Sequence, residues 1–154
     1  MIEFDRRKFE EYARAVFTTD SPSGCTAEAS ALIKSYVEGL GYTTQVHNKG
    51  TREVKVPGLD ESKTVATSAH VDTLGMMVRS VKSGGTLALT KVGGPICPTL
   101  DGEYCTVLTR EGSRYSGTIL SLAPAVPVYP AAPTMTRAAD PLEVRLDAAV
   151  KSAE

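Results

Sequence analysis

His70 and Asp72 stand one residue apart in the run Ser68-Ala69-His70-Val71-Asp72-Thr73. On extended backbone, alternate side chains point the same way, so an imidazole and a carboxylate leave the chain together. A neutral imidazole is a good ligand for zinc or cobalt, and a neighbouring carboxylate can fix its tautomer. Taken alone the triplet has a plainer reading, a histidine satisfied at a strand end beside a capping aspartate. Cys25 follows Ser-Gly and precedes a helix, where the dipole would favour a thiolate paired with His47 or His70. Nothing marks the oxyanion donors or the orienting group such a nucleophile needs. Gly84-Gly85 and Gly93-Gly94 lack the spacing of a phosphate loop and read as turn glycines. His47 reads as a strand-end or surface residue, and Met76-Met77 as strand residues with one side chain facing the core.

The elements that position these residues change character along the chain. Phe9, Tyr12, Ala13, Val16 and Phe17 recur at helical spacing behind Asp5, which predicts a capped amphipathic helix. Ala29, Leu32, Ile33, Tyr36, Val37 and Leu40 predict a second helix, with Thr26 as cap and Gly41 as stop. Beyond Gly41 the period falls to about two, and short strands are expected at TTQVH, REVKV and TVATSA. The last of these is the least charged and reads as a central strand delivering His70 and Asp72 to its C-terminal end, where α/β sheets bind ligands. After Thr73 helical periodicity disappears and strands recur at GMMVRSV, TLALTKV, EYCTVLT, RYSGTIL and LEVRL, with SGG and REGS as turns. This density predicts a small antiparallel barrel or sandwich. The proline-rich link from Ala123 to Pro133 reads as an exposed loop. Ser152 reads as the cap of a further helix with Glu154 in its first turn.

Composition narrows the partners. Of 154 residues, 42% are hydrophobic and 23% charged, enough apolar surface for a core in one domain or slightly more. Seventeen Lys and Arg against eighteen Asp and Glu give a net charge of -1, with no basic block to neutralise phosphates or hold an anionic membrane. The interleaved charges of MIEFDRRKFEEYARAVF exclude a signal-peptide core there, and four prolines exclude a spanning helix in TILSLAPAVPVYPAAP. A cytoplasmic location is the default expectation. Three cysteines without CxxC spacing imply neither a disulfide framework nor a zinc knuckle, but free and mostly buried thiols.

The segment SAHVDTLGMMVRSVKSGGTLALTKVGG resembles the glutamyl and deblocking aminopeptidases, tetrahedral di-metal enzymes sometimes labelled endoglucanase M. The comparable stretch there is an apolar strand, His-x-Asp, a short spacer, a Gly, a second apolar strand, a turn and Gly-Gly. Ser21-Pro22-Ser23-Gly24 resembles that family's early Pro-x-Ser-Gly loop, and Asn48 to Gly50 falls where it tends to carry a Gly-Asn turn. The resemblance covers the whole chain, and its combined motifs are more specific than His-x-Asp alone.

That resemblance implies a metal-dependent aminopeptidase, a hydrolase cleaving the N-terminal residue from peptides at a two-metal site. It implies that His70 ligates one of two divalent ions, zinc or cobalt or manganese, and that Asp72 is the catalytic-site carboxylate orienting the imidazole. The implied fold is α/β. Residues 1–72 would be the N-terminal part of a phosphorylase/hydrolase-like catalytic domain, 73–146 an inserted antiparallel β-barrel used in assembly, and 147–154 the return to the first domain. Homo-oligomers, dimers and then dodecamers, are the family's habit. Two departures stand out. Thr73 occupies a position that is usually acidic in this family, and a Thr is what succinyl-desuccinylase and peptidase T relatives show there. The bridging aspartate, the glutamate pair and the last aspartate and histidine belong to a downstream half, so this chain supplies one ligand where a catalytic zinc takes about three. The chain is therefore expected to be an N-terminal fragment, inactive alone. A non-catalytic assembly or binding module, and a succinyl-desuccinylase-like metallohydrolase, are the alternatives.

Overall fold

The computed structural model describes residues 4–60 and 62–150, which fall into two compact units, one up to Thr73 and the other from Leu74 onward. In the first, α1 spans Arg6–Phe17 and α2 spans Ala27–Gly39. Asp5 caps α1 by accepting a hydrogen bond from the Lys8 amide at 3.0 Å, as the sequence predicts. Thr26 occupies the cap position of α2, but its hydroxyl makes no capping bond. With φ of -102° and ψ of 8° it lies outside the extended geometry that aims a cap side chain at the first turn. Gly41 ends the helix with φ of +86°. The helices meet where Tyr12 and Tyr36 stack, their ring centroids 4.2 Å apart. Ala29 is the buried residue of α2, so this unit has only a thin apolar layer.

Strands β1 (Thr44–Val46) and β2 (Arg52–Val54) form an antiparallel hairpin in which Gln45 faces Glu53. Its loop closes through His47 and Thr51, with Gly50 at φ +84°. Arg52 ties the hairpin to α2, its Nε donating to Ser30 Oγ at 2.7 Å and its Nη1 to Thr44 Oγ1 at 3.2 Å.

The expected strand TVATSA does not form. Residues 63–70 are exposed and belong to no strand among the described residues, and the isolated bridge nearby joins Thr73 to Pro22 in parallel. A strand is a property of two backbones, and no second backbone lies against this one among the described residues.

The second unit is one five-stranded antiparallel sheet. Its strands are β3 (Gly75–Val81), β4 (Leu87–Val92), β5 (Tyr104–Leu108), β6 (Arg114–Ser121) and β7 (Leu142–Leu146), in the order β3-β4-β7-β6-β5. Burial alternates along β6 and at the start of β7, the period of a sheet with one dry face. Leu87, Leu89, Cys97, Ile119, Leu142 and Val144 form the core, and Met76, Cys105 and Val107 pack against it. Met76 thus faces inward while Met77 is exposed. Gly85 closes the β3–β4 turn at φ +81°, accepting no side chain, since a Cβ there would lie 2.5 Å from the Val150 carbonyl oxygen.

The proline-rich stretch from Ala123 is mostly exposed, with Ala123 and Ala132 tucked inward. Arg137 braces it, bonding Asp101 at 3.2 Å and the carbonyls of Ala132 and Met135. The helix start expected at Ser152 lies outside the described residues. No helix among the described residues is long and apolar enough to cross a membrane.

Candidate functional site

The loop Ser21-Pro22-Ser23-Gly24 leads into α2 and lies against residues 71–73. Gly24 takes φ +88°, which lets the chain reverse between the bridge and the helix. Backbone bonds register the two segments: the Thr73 amide donates to Ser21 O at 2.8 Å, and the Ser23 amide to Thr73 O at 3.3 Å. The Ser21 hydroxyl adds a third, donating to Val71 O at 2.7 Å, and Ser21 is 2% exposed. A buried hydroxyl satisfied in this way costs the fold little.

These contacts fix Asp72. Its Oδ2 accepts from the Ser23 hydroxyl at 2.5 Å, and its Oδ1 lies 3.1 Å from His70 Nδ1. The same Nδ1 lies 3.0 Å from the Asp72 backbone oxygen. Two acceptors facing one ring nitrogen require that nitrogen to carry a proton, which in the neutral ring is the Nδ1–H tautomer and leaves the Nε2 lone pair free. The His70 side chain is 84% exposed, so Nε2 is open to a ligand. Donation from Ser23, with a smaller contribution from His70, holds the Asp72 carboxyl below the usual carboxylate range.

His70 and Asp72 border an open cleft of about 500 Å3 that they share with Ser23, Ser30, Lys49 and Arg52. Among the described residues no group of three or more His, Cys, Asp or Glu is gathered to hold a metal. The donor chemistry fits one imidazole ligand with an oriented ring, and a complete zinc site asks for about two more.

The other sequence candidates lie elsewhere or are inert. His47 sits at the end of β1 with Nε2 3.1 Å from Glu53, a surface pair. Cys25 is exposed rather than buried, just before α2, where its amide bonds back to the Pro22 carbonyl. Cys97 is buried and Cys105 half-buried, both against the sheet core. Burial, with a smaller contribution from Asp147, pushes the Cys105 thiol up. Sequence reasoning missed the part played by Ser21 and Ser23. The one signal was the Ser-Pro-Ser-Gly run, and its link to Asp72 spans 49 residues.

The M42 glutamyl aminopeptidase family profile matches residues 50–154. The Bacillus subtilis (strain 168) protein named "Putative aminopeptidase YhfE" is 36% identical over 141 residues. That alignment takes in 92% of this chain and 41% of YhfE, so the chain spans well under half the length of this relative. The fold is similar to the crystal structure of a TET aminopeptidase from a marine sediment archaeon, Thaumarchaeota archaeon SCGC AB-539-E09. The TM-score is 0.82 at 23% identity, over 96% of this chain and 40% of that one. PhTET1-12s, solved as a dodecamer in the asymmetric unit, superposes with a TM-score of 0.74 at 20% identity, over 92% of this chain and 40% of that one. The family the His-x-Asp segment resembles is thus the one matched over more than half of the sequence, and the chain belongs to the M42 glutamyl aminopeptidase family.

Proposed function

We propose that this chain forms the N-terminal part of a metal-dependent aminopeptidase, in which His70 ligates one of two divalent ions through Nε2 and Asp72 orients the ring. The observation that carries the reading is His70 Nδ1 facing two oxygens of Asp72 while Nε2 stays open. Zinc, cobalt and manganese all suit imidazole and carboxylate donors. When bound, a metal pair of this kind supplies an activated water and polarises the scissile carbonyl. The part of this chain is to present one lone pair in a fixed direction, to keep the proton on Nδ1, and to shape one wall of a cleft for the N-terminus of a peptide. The remaining ligands would come from sequence that the longer relatives possess and these 154 residues do not.

The same reading assigns residues 1–72 to the catalytic domain, 73–146 to an inserted β-barrel serving assembly, and 147–154 to the return toward the catalytic domain. The dodecamer of PhTET1-12s supports a homo-oligomer, and the cytoplasm is the proposed location. A second reading, a non-catalytic assembly module, is motivated by the short donor set among the described residues.

Hydrolysis of aminoacyl-anilides with added cobalt or zinc tests these readings. The 154 residues are expected to give no turnover. A form extended to the length of the relatives is expected to turn over, to lose activity in His70→Ala and to keep it in Cys25→Ala. An extended form that is inactive and retains no stoichiometric metal after gentle purification would favour the assembly module.

A further inference from the structure

We propose that Ser23 is a positioning residue of this site: its hydroxyl holds the Asp72 carboxylate in the rotamer that keeps the His70 proton on Nδ1 and Nε2 free. The inference deepens the metal-ligand reading of His70 and rests on it for its consequence, but not for its geometry.

A carboxylate at the end of a short side chain turns about its last bond, and with Oδ1 alone engaged Asp72 would swing between His70 and water. Ser23 removes that freedom by holding Oδ2, at 2.5 Å, in a charge-assisted bond of the stronger class. The chain of donors then runs one way, from the Ser23 hydroxyl to Asp72 and from His70 Nδ1–H to the other oxygen of the same carboxylate. The direction matters because the proton on Nδ1 is what leaves Nε2 able to bind.

The loop does not depend on this hydroxyl for its place. The Ser21 hydroxyl on Val71, the Thr73 amide on Ser21 and the Ser23 amide on Thr73 survive its removal. Ser23 is itself exposed, so its truncation opens no cavity. Its side chain is therefore separable from folding. Thr presents the same hydroxyl and is expected to substitute for it, whereas Ala is not.

The chain holds two histidines, His47 and His70, so long-range proton–nitrogen spectra of the labelled 154-residue protein resolve each ring, and His47→Gln assigns them. At about pH 8.5, well above the ordinary imidazole pKa of about 6.5, the ring-nitrogen shifts report the tautomer of the neutral form directly. Expected are a dominant Nδ1–H tautomer for His70 in the parent, a smaller Nδ1–H share in Ser23→Ala, where only the Asp72 backbone oxygen stays fixed as an acceptor, and the parent share in Ser23→Thr. The His47 signals should stay in place in both variants. A Ser23→Ala protein with a parent-like amide spectrum and an unchanged His70 tautomer would overturn the proposal. Loss of the tautomer in Ser23→Thr as well would overturn it too, by assigning the effect to the loop rather than the hydroxyl. The readout involves neither metal nor substrate. A tautomer shift in Ser23→Ala combined with an inactive extended enzyme would therefore leave Ser23 its role and remove the metal-ligand reading instead.

Discussion

Single side chains in this protein differ in reactivity because of what surrounds them, and the three thiols make a direct comparison. Cys25 is exposed at the head of α2, Cys97 is buried in the sheet core and Cys105 is half-buried beside it. Thiolate is the reactive form, and burial pushes Cys105 toward the neutral thiol. Alkylation of the native chain with iodoacetamide near pH 8 is expected to label Cys25 first. Cys97 and Cys105 should follow only as the sheet opens, as read by peptide mass spectrometry. The raised Cys105 pKa also has a sign. Its contribution to stability is intact below the ordinary value of 9.0 and is lost as pH climbs through that value toward the higher folded one. Cys105→Ala should accordingly flatten the alkaline limb of a stability profile, and an unchanged limb would show that the thiol stays neutral throughout or ionises freely. At Asp72 the comparable prediction concerns binding: in an extended form, Asp72→Ala should cost about 10- to 100-fold in metal affinity or activity. Titration calorimetry with cobalt would measure it.

At the scale of elements, one close approach across the second unit's sheet is made by a residue without a side chain. Gly117 on β6 is buried, and a Cβ there would lie 2.8 Å from the Arg145 carbonyl oxygen and 2.8 Å from a Val144 methyl across the β6–β7 ladder. Gly117→Ala should destabilise the sheet by about 1–3 kcal/mol, the range of overpacked cores. Urea melting followed by a sheet signal would measure it, and a neutral result would mean the ladder yields. The sheet was also the most legible part of the sequence. Val, Ile, Leu and Thr alternate between glycine and serine turns, so β3 and β7 occupy the runs GMMVRSV and LEVRL that the pattern predicts. The helices were legible for a similar reason, their apolar residues recurring at 3.6-residue spacing behind a polar cap. TVATSA failed because composition reports a preference for extended backbone, not the presence of a partner. The Ser23–Asp72 bond was illegible because no local period encodes a contact over 49 residues. His70 and Asp72 themselves were found, since a two-residue spacing is local enough for sequence to fix their relative direction.

Over the whole molecule, the described residues leave much apolar surface in water. Val65 is 90% exposed in the unpaired stretch before His70, and Leu59, Phe17, Leu74 and Ile96 are likewise open. Exposed apolar side chains of this number favour association with another copy, so the 154-residue chain should self-associate as its concentration rises. Val65→Lys should reduce that association without changing the monomer's circular dichroism, as light scattering would show. An equal scattering rise in the variant would place the sticky surface elsewhere. The contact between Gly85 and Val150 has a consequence of a different kind. Leu74 opens this unit beside Gly75, which pairs with Val92 at one end of the β3–β4 ladder, and Val150 comes to Gly85, at the turn that closes the other end. Seven residues of β3 lie between, about 20 Å at the usual rise per residue. Leu74 and Val150 are thus held apart by the length of a strand, and any segment replacing the residues between them would need at least about six extended residues to span that gap.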